Sequence, residues 1–102
     1  MISINVTMTD DRAMLKMDGH ANYNPGNDIV CAGCSAILYG LVNWLENSKD
    51  KLHGNPYIRM DSGTATISAK GGPELHEAFK QALFGFMSIS SSYPENVSVK
   101  VG

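Results

Sequence analysis

The strongest constraint on the fold is the segment from Ile29 to about Asn47, whose apolar side chains recur at the spacing of one helix face. A second segment with this spacing opens at Pro73, a residue favoured in the first turn of a helix, and stops before Pro94. Elsewhere apolar and polar residues alternate, which predicts half-buried strands. The predicted strands are Ile2 to Met8, Ala13 to Asp18, Tyr57 to Met60, Thr64 to Ala69 and Val97 to Val101.

These segments follow one another in the order ββαββαβ. This order predicts an α+β fold in which two helices pack on one face of a mainly antiparallel sheet. The turn Asp61-Ser62-Gly63 joins two of the strands into a hairpin. With 102 residues, of which 43% are hydrophobic, the chain is expected to form a single domain over residues 1–102 around one modest core.

The charge and the N-terminal pattern argue against several kinds of partner. The net charge is −2 at pH 7, which gives no electrostatic basis for binding nucleic acid or an anionic membrane. No run of about 18 apolar residues occurs, and the residues from Met1 to Asn5 alternate in polarity, unlike a signal peptide. We therefore expect a cytoplasmic protein with no membrane and no nucleic-acid partner.

Two cysteines, Cys31 and Cys34, fall in the first turns of the long helix and are expected to be free thiols. Cys34 lies in the middle of the apolar face, where a cysteine acts as a small hydrophobic residue. Cys31 lies at the edge of that face, and Asp28 is a good N-cap that is predicted to accept the Cys31 amide N–H. Because the positive end of a helix stabilises a thiolate, Cys31 is the candidate nucleophile.

The motif Gly19-His20-Ala21 places a histidine at the end of the second predicted strand. Its glycine allows a sharp turn, so the strand end and the start of the long helix can come together. The other histidines, His53 and His76, lie in polar surroundings and are predicted to be solvated. An irregular loop connects strand and helix and is predicted to close over an extended peptide. The loop consists of Asn22, Tyr23, Asn24, Pro25, Gly26 and Asn27.

The motifs Gly19-His20-Ala21 and Asp28-Ile29-Val30-Cys31-Ala32, with Ser35 one turn later, resemble those of the ribosomal-processing cysteine proteases, called Prp. The resemblance covers nearly the whole chain, including the ββαββαβ order and the ending Tyr93-Pro94-Glu95-Asn96-Val97. Together at this spacing the two motifs are fairly specific, and either alone is weak. One departure is Gly33-Cys34-Ser35, where the family usually has Ala-Val-Ser or similar; the glycine either loosens the helix start or admits a bulkier neighbour.

The resemblance implies a cytoplasmic, homodimeric cysteine protease with a Cys–His dyad and without a metal or cofactor. Members remove an N-terminal extension from a large-subunit ribosomal protein, and related phage enzymes trim capsid or scaffold proteins. The expected partner is therefore the extended N-terminal peptide of a ribosomal or phage structural protein. By position, the nucleophile of the family maps to Cys31 and its histidine to His20. Asp28 and Ser35 fall at the acidic and hydroxyl positions of the motif.

The expected chemistry is acyl transfer by a thiolate. His20 is expected to deprotonate Cys31 and then to protonate the leaving amine. Backbone amides around Cys31 and Ala32 are predicted to stabilise the oxyanion. Asp28 caps the helix and is a candidate for orienting His20 as well. Two interpretations of Ser35 stay open, one in which it lines the cleft and one in which it bonds its own helix backbone.

Two other classes of function are compatible with the same residues. A thiol-disulfide oxidoreductase would use the Cys31-x-x-Cys34 pair, although the initial hairpin differs from the βαβ start of a thioredoxin. A non-catalytic binding module would hold zinc with His20 and the two thiols, although a structural site needs four ligands. Loss of activity in Cys34→Ser would favour the first alternative, and zinc in the purified protein would favour the second.

Overall fold

The computed structural model describes residues 1–21 and 28–102. The elements are β1 (Ile2–Met8), β2 (Arg12–Asp18), α1 (Ile29–Asn47), a 3-10 turn (Lys49–Lys51), β3 (Tyr57–Asp61), β4 (Thr64–Lys70), α2 (Pro73–Ser92) and β5 (Val97–Val101). The predicted ββαββαβ order is confirmed, and each strand boundary lies within one residue of the prediction. The predicted substrate loop, Asn22 to Asn27, lies outside the described residues.

The five strands form one sheet in the order β3-β4-β2-β1-β5. Three neighbouring pairs are antiparallel, as predicted, and β1 pairs with β5 in parallel. The register places Asp18 opposite both Ser3 and Thr64, and Ile2 opposite Val97. The end of β2 and the beginnings of β1, β4 and β5 therefore meet at one end of the sheet, where the chain continues into Gly19.

One face of the sheet is apolar, because its strands alternate between buried and exposed side chains. The apolar stripes of α1 and α2 belong to the same core cluster and cover this face. The largest fully buried side chains are Phe79, Phe86, Ile4, Leu15, Leu45, Ile67 and Leu75. This core fixes the start of α1 relative to the end of β2.

The two helices approach each other closely at glycines. A Cβ atom at Gly85 would lie 2.9 Å from Ile37 Cδ1, and one at Gly33 would lie 3.2 Å from Ile89 Cδ1. Gly33 therefore admits a bulkier neighbour, Ile89, which is one of the two effects predicted for this departure from the family pattern.

Among the described residues, one helix, α1, is long and apolar enough to cross a membrane by length and composition alone, with a mean hydropathy of 1.5. The core helix of a soluble protein passes the same test. Val30, Leu38 and Leu45 of this helix are buried in the core cluster. The apolar character of α1 is thus explained by its packing against the sheet.

His76, which was predicted to be solvated, remains accessible to solvent but also lies between two carbonyl oxygens. Its Nδ1 lies 2.9 Å from the Gly72 carbonyl oxygen, and its Nε2 contacts that of Thr9, in the turn between β1 and β2. Both ring nitrogens must donate to satisfy these acceptors, and only the imidazolium carries two N–H groups. The contacts with Gly72 and Thr9 therefore raise the pKa of His76, with a smaller contribution from Asp10, against the opposing effects of burial and Lys80.

The free energy of unfolding is expected to fall as the pH rises through the pKa of folded His76, above its ordinary value of about 6.5. A pKa raised by folding stabilises the protein below the unfolded pKa, and this contribution is lost when the folded imidazolium deprotonates. Urea unfolding at intervals from pH 5.5 to 9 measures the fall, which His76→Gln should remove. The exposed His53 provides the control, because His53→Gln should keep it. Equal pH dependence in wild type and His76→Gln would contradict this account.

Candidate active site

Cys31 lies in the first turn of α1, beneath a side-chain cap. Asp28 Oδ1 accepts the backbone N–H groups of Val30 and Cys31, each at 3.0 Å, as predicted for an N-cap. Cys31 is partly buried at the edge of the apolar face, whereas Cys34 is fully buried. Of the two thiols, Cys31 is therefore the one that a substrate can meet.

The strand end that carries His20 turns sharply at Gly19. The φ angle of Gly19 is +96°, a region that favours glycine, and its N–H donates to the Gly63 carbonyl oxygen at 2.8 Å. A Cβ atom at Gly19 would clash with the Met1 carbonyl oxygen. Glycine is required here both by the turn and by the close approach of β1, and the turn leaves the following His20 exposed.

The imidazole of His20 lies against the tip of the β3–β4 hairpin. A Cβ atom at Gly63, where φ is +77°, would come within 3.0 Å of His20 Nε2. Thr64 Oγ1 donates to Asp18 Oδ1 at 2.8 Å, which ties the hairpin tip to the end of β2. The sequence predicted the hairpin but not this contact, because only the strand register brings Gly63 beside His20.

One cleft of about 370 Å³ contains both His20 and Cys31. Ser35 also lines the cleft, which agrees with one of its two open interpretations. The remaining lining residues are Ile2, Met17, Gly19, Leu38, Tyr39, Met60, Asp61, Ser62, Gly63, Thr64 and Ala65. The hairpin tip therefore forms a wall opposite α1, and the thiol and the imidazole share one solvent-accessible space.

Within residues 1–21 and 28–102, the hydrogen bond made to the Cys31 sulfur comes from a backbone amide and not from His20. The Ala21 N–H donates to Cys31 Sγ at 3.2 Å. Ala21 is buried, and its carbonyl oxygen accepts from Asn96 Nδ2 at 2.9 Å. Asn96 belongs to the family-like ending from Tyr93 to Val97, and no local sequence signal indicates its long-range contact with Ala21.

Both predicted oxyanion donors already have hydrogen-bond partners in this structure, and their role toward an oxyanion stays a prediction. The Cys31 N–H donates to Asp28 Oδ1, and the Ala32 N–H donates to the Asp28 carbonyl oxygen at 3.1 Å. The cap and the first turn of α1 thus satisfy both amides that were expected to face a developing negative charge.

Cys34 is chemically distinct from Cys31. Burial raises the pKa of the Cys34 thiol to about 11, and the charges of Cys31 and Asp28 add to the rise. Cys34 is therefore protonated at neutral pH and packs as a core residue. This environment does not favour the oxidoreductase alternative, in which both thiols exchange electrons with a substrate.

A second, larger cavity of about 680 Å³ lies between α1 and α2, lined by apolar residues such as Leu41, Trp44 and Ala82. It lacks the cysteine and the histidine, so the smaller cleft is the candidate active site. In the part of the chain that the structure describes, no three His, Cys, Asp or Glu side chains are grouped to hold a metal ion.

A thiol at a helix start and an imidazole in the same cleft are the catalytic groups of a cysteine protease. The family model described as "Cysteine protease Prp" matches residues 1–98, and the chain belongs to that family. The predicted resemblance and the predicted class of enzyme are confirmed.

Similar proteins match over almost their whole length. The "Ribosomal processing cysteine protease Prp" of Staphylococcus aureus (strain Mu50) is 48% identical over 104 residues, which cover 95% of each chain. The protein of the same name from Mycoplasma genitalium is 30% identical over 97% of this chain and 94% of its own. The crystal structure of the S. aureus protease with a covalently linked product peptide superposes with a TM-score of 0.83 over 100% of both chains, at 30% identity. Its complex with a substrate peptide gives 0.74 and 28%.

Proposed function

We propose that this chain is an endopeptidase that removes an N-terminal extension from a large-subunit ribosomal protein, with Cys31 as nucleophile and His20 as general acid and base. The observation that carries the proposal is the cleft that holds both side chains. The names of the relatives specify ribosomal processing, and the S. aureus protease has been crystallised with substrate and product peptides. An extended peptide terminus is therefore the substrate class that we assign to the cleft.

In the proposed reaction, His20 takes the proton of the Cys31 thiol, and the thiolate attacks the scissile carbonyl carbon. A carbon–sulfur bond forms, and the carbon–nitrogen bond breaks as the His20 imidazolium gives its proton to the leaving amine. Water then attacks the thioester while His20 takes a proton from it. A carbon–oxygen bond forms and the carbon–sulfur bond breaks, so that the new carboxyl terminus leaves and the thiolate–imidazolium pair is restored.

Cleavage of a peptide that spans the N-terminal extension of the ribosomal protein is expected at one bond, after an apolar, aromatic-containing segment. Mass spectrometry of the reaction identifies the bond. Peptides from phage capsid and scaffold proteins run in parallel test the other proposed substrate class. A scrambled peptide of the same composition is the control. Equal cleavage of the scrambled peptide, or no cleavage of any peptide, would contradict the proposal.

We also propose that the chain acts as a homodimer in the cytoplasm. Exposed apolar side chains on α2 and β5 support a self-association surface: Phe84 is 59%, Met87 47% and Val101 64% exposed. Light scattering of the purified chain tests this, since a dimer has twice the 11.0 kDa mass of one chain.

A further inference from the structure

The side chain of Asn96, in the loop between α2 and β5, is linked to Cys31 through Ala21. Its Nδ2 donates to the Ala21 carbonyl oxygen at 2.9 Å, and the Ala21 N–H donates to Cys31 Sγ at 3.2 Å. These two bonds connect residues that are 75 and 10 positions apart along the chain. A carbonyl oxygen can only accept, so the contact requires the amide donor of Asn96.

The backbone around Asn96 is anchored on both sides. Its own N–H donates to the Tyr93 carbonyl oxygen at 3.0 Å, and its carbonyl oxygen accepts from the Ile2 N–H at 2.8 Å. Ser90 Oγ donates to the Val97 carbonyl oxygen at 2.9 Å. Asn96 is thus a rigid point from which a side chain can fix a neighbouring peptide group.

The side chain of Ala21 is buried, and its backbone lies beyond the end of β2. Strand β2 ends at Asp18, so no ladder hydrogen bond of that strand holds Ala21 in place. Within the described residues, the side-chain hydrogen bond that restrains Ala21 is the one from Asn96, and it lies one residue backbone away from the N–H that faces the sulfur.

We propose that Asn96 is a positioning residue, which holds Ala21 so that its backbone N–H stabilises the thiolate of Cys31. Hydrogen bonds to an ionised acceptor are stronger than those to a neutral one, so this N–H favours the thiolate over the thiol. With the amides of Cys31 and Ala32 engaged by Asp28, the Ala21 N–H is the described backbone donor at the sulfur. The inference deepens the proposed function, since it rests on Cys31 as nucleophile.

The test is the rate of Cys31 alkylation by iodoacetamide as a function of pH, followed by intact mass. In Asn96→Ala, the midpoint of the pH–rate profile should move to higher pH, and the rate at pH 7 should fall about 3- to 10-fold, the range that the loss of one hydrogen bond allows. The plateau at high pH should stay unchanged, because there all of the sulfur is thiolate. A general loss of structure would instead speed alkylation of both thiols.

Two control variants separate positioning from stability. Asn47→Ala removes a comparable bond, from Asn47 Nδ2 to the Asn43 carbonyl oxygen at 2.8 Å, far from the cleft. Ser90→Ala loosens the same loop without touching Ala21. Both should keep the wild-type profile. Should Asn96→Ala fail to fold, Asn96→Leu keeps a similar volume and removes the donor without adding a charge, and the same shift is expected.

An unchanged profile in folded Asn96→Ala or Asn96→Leu overturns the inference, as does an equal shift in Ser90→Ala. Alkylation does not depend on peptide cleavage, so the two proposals can fail separately. If no peptide is cleaved by the wild type but the profile shifts in Asn96→Ala, the proposed function fails and the positioning role stands. If peptides are cleaved and the profile does not shift, the reverse holds.

Discussion

Replacement of Cys31 by alanine is expected to lower kcat/KM for the cleaved peptide at least about 1,000-fold, because no other group can form the thioester. Cys34→Ala should keep activity within a few-fold of wild type, since the Cys34 thiol is buried and protonated at neutral pH. Peptide cleavage followed by chromatography measures both variants. The unfolding midpoint of each variant confirms that the loss in Cys31→Ala is chemical.

The same pair of variants separates the protease from the oxidoreductase alternative. A thiol-disulfide exchange through Cys31 and Cys34 needs both sulfurs, so each single replacement would abolish it. One alkylated thiol per chain is expected at pH 7 in the wild type and in Cys34→Ala, and none in Cys31→Ala. Full activity of Cys31→Ala, or loss of activity in Cys34→Ala without loss of stability, would remove Cys31 from the nucleophile position.

The elements of the fold could be predicted because each one carries its own periodicity. The strand β1 alternates perfectly between buried and exposed residues from Ile2 to Thr7, and α2 has proline at its first position. The strand order β3-β4-β2-β1-β5 has no such local signature. It depends on which strands pair across the sheet, and the parallel pairing of β1 with β5 is a contact between the two ends of the chain.

The residues of the candidate site likewise fall into those that local sequence predicts and those that only the tertiary fold brings together. Asp28, Cys31 and Cys34 lie on one helix, so the spacing of residues was enough to separate the cap, the exposed thiol and the buried thiol. Gly63 lines the cleft and Asn96 bonds to Ala21, each from a distant segment, and the pairing of strands across the sheet brings them there.

The predicted oxyanion role of the Cys31 amide competes with the N-cap, and the sequence already contained this competition. The Cys31 N–H has two candidate acceptors, the Asp28 carboxylate and the oxyanion. An N–H that makes a good bond with the first is turned away from the second. A strong N-cap therefore competes with an oxyanion role for the amide of its own third residue. The Ala21 N–H, outside the helix, is free of this competition and faces the sulfur instead.

Gly19 is surrounded by backbone that cannot move aside. The added Cβ of an alanine would meet the Met1 carbonyl oxygen, and the next residue, Ile2, is buried and bonded to the Asn96 carbonyl oxygen. Because β1 is held there, relief of the clash requires movement of the strand end that carries His20. One substitution therefore disturbs both the sheet and the cleft.

Gly19→Ala is expected to lower the free energy of unfolding by about 2–5 kcal/mol, as backbone strain and overpacking add together, and to reduce cleavage even where the chain is folded. Urea unfolding and kcat/KM measure the two effects.

Gly54→Ala isolates the backbone strain, since Gly54 has φ +97° but open space around it. This variant should lower the free energy of unfolding by about 1–2 kcal/mol without loss of activity. Gly40→Ala, in open space on α1, should stabilise by about 0.5–1 kcal/mol. If Gly19→Ala costs no more than Gly54→Ala and cleaves at the wild-type rate, the contact between β1 and the turn does not hold His20 in place.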